Sequence, residues 1–186
     1  MLARAIRRRR RLRDVYLNSV LASGLMNQDD RRRALIDLGF SLADDCLIRE
    51  RCWFGGTTLE VGQGSSVNVG CFFDLLGSVT IGDRCDIGMN VSFITSSHEL
   101  GEHWRRAGAV LAVDVVIGDG CWIGAGAMIL PGVAIGQGCI VAGGSVVNRS
   151  CERDGLYAGN PARRIKDLIV APHPGGRPRR EHSDKN

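Results

Sequence analysis

The sequence predicts an all-β solenoid built of hexapeptide repeats, and three observations carry that expectation. From Val61 an aliphatic or Phe residue recurs every six positions. The series runs Val61, Val67 and Phe73, then, after a two-residue slip, Ile81, Ile87 and Phe93. After a longer interruption it resumes at Ile117, Ile123, Ile129, Ile135, Val141 and Val147. Glycine directly follows the aliphatic residue at Gly62, Gly82, Gly88, Gly118, Gly124 and Gly136. A small or apolar residue stands four places after it, as at Val91, Ala127, Val133 and Ser145. A period of six matches neither the helical period nor the alternation of a strand. It fits one short strand plus a corner, with glycine relieving the backbone at the bend. Units of this kind stack, each coil burying the face its neighbours leave open. The 25 glycines and the low aromatic content, 5%, agree with many corners around a core of branched and small side chains.

Taken in order, residues 1–45 read as helical. Leu12, Tyr16, Val20 and Leu21 stand at helical spacing, and Asp29 or Asp30 would cap a second helix through Leu35, Ile36 and Leu38. Arg7 to Arg11 and Arg31 to Arg33 read as a solvated helical face. Residues 46–155 form the predicted β-helix domain, with 46–60 an irregular first coil turning at Gly55-Gly56 and residues 99–116 an inserted loop. In the segment 156–171, Asn160-Pro161 marks a turn and Ala162 to Leu168 a short C-terminal helix. The tail, 172–186, is rich in Pro, Gly and charge and reads as disordered.

Several classes of function are disfavoured. Net charge is only +4, gathered in three arginine clusters, and no stretch approaches the length of a membrane span. The stretch after the first arginine run is too polar for the apolar core of a signal peptide. A cytoplasmic protein is expected, with no membrane span and no nucleic-acid partner. Cys71, Cys85, Cys121, Cys139 and Cys151 each fall four residues after a repeat aliphatic, where a small inward residue is wanted, and no Cys-x-x-Cys pair exists. They read as core packing. His98 and His103 are spaced like two zinc ligands, yet a third histidine is missing upstream and the others, His173 and His182, lie in the tail. No metal is expected.

Chemistry is expected at the interruption. A long insertion adds little to a stack and is commonly functional. Thr95-Ser96-Ser97-His98 stands at its base. Histidine accepts a proton near neutral pH, which suits deprotonation of a hydroxyl nucleophile.

From about Cys46 to Lys166 the chain resembles the hexapeptide-repeat sugar O-acetyltransferases, the maltose, galactoside, nodulation-factor and polysaccharide enzymes. The phrases that carry the resemblance begin with Cys52-Trp53-Phe54-Gly55-Gly56-Thr57-Thr58-Leu59-Glu60-Val61-Gly62 and Val79-Thr80-Ile81-Gly82-Asp83. They continue with Ile117-Gly118-Asp119-Gly120-Cys121-Trp122-Ile123-Gly124, Ile129-Leu130-Pro131-Gly132-Val133-Ala134-Ile135-Gly136 and Ala158-Gly159-Asn160-Pro161-Ala162-Arg163. The resemblance implies a left-handed parallel β-helix, a homotrimer with sites between subunits, and acetyl-CoA as co-substrate. It places His98 on the catalytic base and Asp74 on an acceptor-contacting position, where a carboxylate orients the sugar hydroxyl or stabilises the imidazolium. Trp122 would wall the pocket, and His103 and Trp104 on the loop would shape acceptor choice. Ala125, Ala142, Gly143, Arg149, Arg163 and Lys166 would line the coenzyme A groove, with Ala125 supplying an oxyanion donor. One departure is plain: a family lysine aligns with Asn148, and Arg149 is one place along. The rival readings are an antibiotic or xenobiotic acetyltransferase of the same fold and a non-catalytic trimeric scaffold.

Overall fold

The computed structural model describes residues 9–169, so the expected disorder of the 172–186 tail lies outside the described residues. Each coil makes three short strands separated by corners, and in-register stacking turns these into three parallel sheets. The first face holds Ser41–Leu42, Leu59–Val61, Val79–Ile81, Val115–Ile117 and Ala134–Ile135. The second holds Leu47–Ile48, Ser66–Val67, Asp86–Ile87, Trp122–Ile123, Ile140–Val141 and Gly155–Gly159. The third holds Trp53–Phe54, Phe72–Phe73, Ser92–Phe93, Met128–Ile129 and Val146–Val147. The result is a left-handed parallel β-helix.

The six-residue period follows directly from this geometry. In a two-residue strand one side chain points inward and its neighbour outward, so each strand contributes one core residue at the repeat position, and the three-residue strands of the first face bury Leu59, Val79 and Val115 as well. Phe54, Phe73 and Phe93 form one such column, their rings stacked at 5.4 and 4.9 Å between centroids. Val61, Ile81, Ile117 and Ile135 form the column of the first face, and Ile48, Val67, Ile87, Ile123 and Val141 that of the second. All of these are buried.

The seven cysteines are also buried and unpaired. The thiols of Cys71, Cys85, Cys121 and Cys139 donate to Gly88, Gly118, Gly136 and Glu152 carbonyl oxygens at 3.2, 3.1, 3.1 and 3.0 Å. Burial pushes the Cys46 thiol up to about 11 and the Cys151 thiol up to about 12, so both stay protonated at neutral pH.

A solenoid leaves its core column open at each end. Here the N-terminal end is closed by helix. Arg10–Val15 continues as a π-helical stretch, Tyr16–Leu21, and a second helix runs Gln28–Leu38. Leu17, Leu21, Leu35 and Leu38 point into the plug, and Phe40 meets Phe54 edge-on at 5.2 Å. The second helix is capped by Asn27, whose side chain accepts from Asp30 N–H at 2.9 Å; Asp29 and Asp30 lie in the first turn.

Three further expectations need correction beside the cap, which is Asn27 where Asp29 or Asp30 was expected. The stack starts at Ser41, and its first coil is regular, because Leu47–Ile48 and Trp53–Phe54 pair in register with the second coil. Arg31 is no part of a solvated face: it is 3% exposed, and its guanidinium donates to Leu21, Ser23 and Met26 carbonyl oxygens at 2.8, 2.8 and 2.9 Å and to that of Ile48 at 3.4 Å. Leu21 and Ser23 lie where the π-helical stretch ends and carbonyls lack intrahelical donors, while Met26 and Ile48 come from the turn that follows and from the first coil. Third, Ala162–Asp167 is a strand, antiparallel to Gly155–Gly159. A helix of seven residues is too short to be stable by itself. Pairing instead satisfies the open edge of the second face, and Gly159, at φ +104, allows the reversal.

Candidate active site

The interruption of the repeat folds as an antiparallel hairpin, where a period-breaking loop over 99–116 was expected. Its strands are Ser96–Leu100 and Ala107–Ala112, and the chain is back in the stack at Val115. Two carboxylates fix its roots. Asp74 Oδ2, from the corner one coil below, accepts Thr95 N–H at 3.1 Å and Ser96 N–H at 2.7 Å. Asp114 Oδ1 accepts Ser78 N–H at 2.7 Å where the chain re-enters, and the Ser78 hydrogen bonds hold this carboxyl below the usual carboxylate range. Thr95, fully buried, adds a third tie by accepting Gly77 N–H at 3.1 Å.

His98 sits on the first hairpin strand opposite Val110, with its side chain exposed. Its Nδ1 lies 3.0 Å from Gly108 O. A carbonyl oxygen can only accept, so in the neutral ring this contact selects the tautomer with the proton on Nδ1 and the lone pair on Nε2. Gly108 makes this possible. A Cβ on it would stand 2.8 Å from Glu99 O, so any other residue would push the two strands apart and move the acceptor. Gly108 and Asp114 were missed in the sequence because neither belongs to the six-residue pattern.

The remaining site residues are spread over the second face, the corner beyond it, the C-terminal end and the hairpin tip. Trp122 projects outward from the second face between Asp86 and Ile140 and is 57% exposed. Ala125, Ala142 and Gly143 occupy the corner between the second and third faces in adjacent coils. Gly144 N–H donates to Ala125 O at 2.9 Å, while Ala142 N–H is taken by Tyr157 O at 2.8 Å. A Cβ on Gly124 would run into Gly143 N, which shows how closely the backbone of this corner is stacked. Arg149 and Arg163 come together around a hollow of about 150 Å³ at the C-terminal end, with Tyr157 and Ala162. Arg164 is already used: it binds Asp167 at 2.6 Å, Tyr157 Oη at 2.9 Å and the carbonyl oxygens of residues 152–154. Lys166 is exposed on the edge strand opposite Leu156. Trp104 lines a hollow at the hairpin tip with Glu102 and Arg105, and His103 is exposed beside it. One chain therefore brings Asp74 and the root of the His98 hairpin together on one edge of the prism, while Ala125 and Gly143 lie along another.

Comparison with known proteins agrees with this geometry. Residues 114–149 match the bacterial transferase hexapeptide model, and residues 50–95 match the hexapeptide repeat of succinyl-transferase. An acetyltransferase relative from Dictyostelium discoideum is 36% identical over 115 residues, 62% of this chain and 60% of its own length, so the chain spans less than two thirds of that relative. The crystal structure of the hexapeptide-repeat containing-acetyltransferase of Vibrio cholerae is 30% identical, with 91% of this chain and 94% of that one covered at a TM-score of 0.74. The galactoside acetyltransferase in complex with coenzyme A is 26% identical, with 86% and 81% covered and a TM-score of 0.77. With the repeat, the three-faced stack and near-complete coverage of a 30% identical relative, the chain belongs to the hexapeptide-repeat acetyltransferases.

Proposed function

We propose that this protein transfers an acetyl group from acetyl-CoA to a hydroxyl of a saccharide or sugar-bearing metabolite, with His98 as the general base. The observation that carries the reading is the hydrogen bond from Nδ1 to Gly108 O, which leaves Nε2 as the proton acceptor on an exposed hairpin. Nε2 takes the hydroxyl proton as the acceptor oxygen attacks the thioester carbonyl. Collapse of the tetrahedral intermediate breaks the carbon–sulfur bond, and the imidazolium returns its proton to the leaving thiolate. The Ala125 N–H is the proposed donor to the oxyanion. The guanidinium groups of Arg149 and Arg163 supply the charge and donors that coenzyme phosphates require.

This reading needs a second copy of the chain. His98 and the Ala125 corner belong to different edges, so a neighbouring subunit would complete each site, and a homotrimer satisfies all three sites at once. Trp122, exposed on the second face, would wall the pocket, with Trp104 and His103 selecting the acceptor. We place the enzyme in the cytoplasm.

Calorimetric titration of acetyl-CoA into the assembled protein tests the reading, followed by acceptor screening with sugars and nucleotide sugars. Saturable binding and acetylated product are expected. A folded oligomer that binds no acetyl-CoA would refute the transferase.

Asp74 is separable from the base. Its Oδ2 is engaged with two amides, so its first role is to anchor the hairpin. Asp74→Asn retains one acceptor oxygen and is expected to lose at most about tenfold in kcat. Asp74→Ala removes the anchor and is expected to lose about a hundredfold, with acetyl-CoA affinity unchanged. Equal losses in the two variants would show that the negative charge matters and the anchor does not.

A further inference from the structure

Seven of the first thirteen residues are arginine, and Asp14 is the only acidic residue in the first fourteen. Arg9, Arg10 and Arg11 are exposed, and the Arg10 side chain keeps 83% of its accessible surface. The helical stretch that begins at Arg10 buries Leu17 and Leu21 in the plug of the solenoid. It also carries apolar residues with no cover: Leu12, Val15 and Val20 are 52, 61 and 46% exposed. Exposed cations and exposed aliphatic side chains thus fall within one short segment, residues 9–20.

That combination selects among anionic partners. A nucleic-acid backbone offers phosphates but no apolar layer, so Leu12, Val15 and Val20 would stay in water. A bilayer with anionic headgroups offers both layers, phosphate outside and hydrocarbon a few ångströms beneath. We propose that this segment docks the protein on an anionic lipid surface, with Arg9 to Arg11 at the headgroup phosphates and Leu12, Val15 and Val20 at the acyl boundary. The helix lies on the surface: among the described residues no helix is long and apolar enough to cross a membrane. The flexible arginine stems place their charge at the phosphates while the aliphatic side chains sit deeper.

Sedimentation of the full chain with vesicles tests this, using phosphatidylcholine alone and phosphatidylcholine mixed with phosphatidylglycerol. Binding is expected only to the mixed vesicles and should weaken steeply with added salt. Each neutralised arginine is worth about fivefold in partition, so Arg9→Gln, Arg10→Gln and Arg11→Gln combined should weaken binding about a hundredfold. Leu12→Ser with Val15→Ser should weaken it about tenfold or more at every salt concentration. All five positions are exposed or lie before the buried plug, so circular dichroism and oligomeric state should not change. Equal binding to both vesicle types, or no binding, overturns the proposal. So does tighter binding to duplex DNA that ignores the Leu12 and Val15 changes, which would make the partner a nucleic acid. A change of oligomeric state in the arginine variant would make the surface a subunit interface instead.

Discussion

His98→Ala is expected to lower turnover by about 10²–10⁴-fold while leaving acetyl-CoA affinity and the circular dichroism spectrum unchanged. The separation follows from where the residue sits. His98 is exposed, contributes nothing to the core, and makes its one side-chain hydrogen bond to Gly108 O, within the hairpin. Removing it therefore deletes the proposed proton acceptor and leaves the stack, the Ala125 corner and the arginine-lined hollow in place. The expected kinetic signature is a fall in kcat with little change in KM for the donor. Retained turnover in His98→Ala would move the base elsewhere and end the mechanism proposed above. Loss of donor binding in the same variant would show that the hairpin forms part of the coenzyme groove.

Arg31→Met is expected to cost about 3–5 kcal/mol of stability, because a buried cation holding four backbone carbonyl oxygens is replaced by a side chain that can donate to none of them. At about 2–4 °C per kcal/mol for a chain of this size, the melting temperature should fall by roughly 10 °C. Arg33→Met is the control. Arg33 is exposed and its contact with Asp30, at 3.7 Å, is a surface pair, so its loss should stay within about 0.5 kcal/mol. Thermal unfolding of the two variants side by side decides whether Arg31 is the keystone of the N-terminal plug. Equal melting points would mean that the plug contributes little to the fold.

The stack was legible in the sequence because of how its core is made. Val67, Ile87, Ile123 and Val141 are one column of one face, and each must be apolar at a fixed interval along the chain. Burial and periodicity are then the same fact. The cysteines were legible for the same reason, as small inward residues at the repeat's fifth place. The hairpin left no such trace. Ala107–Ala112 is exposed or half-buried throughout, its order comes from backbone pairing with Ser96–Leu100, and pairing of that kind imposes no side-chain period. The C-terminal strand escaped notice likewise, since only its partner strand distinguishes it from a short helix.

His98 and Asp74 could be singled out from the chain alone, by their place beside the single long interruption and by resemblance. How they are held was decided by contacts between distant segments. Gly108 sets the His98 tautomer from ten residues away, and Asp74 holds amides more than twenty positions later in the chain. Arg31 was one of three consecutive arginines, and only the carbonyls gathered from Leu21, Ser23, Met26 and Ile48 took it out of solvent. The sequence by itself determined the repeat and its inward-facing residues, and it marked the interruption at which the site is proposed, because hydrophobic burial recurs at intervals that can be counted along the chain. The tertiary structure alone decided the hairpin, the plug and the proton on His98, because directional hydrogen bonds join residues whose separation follows no period.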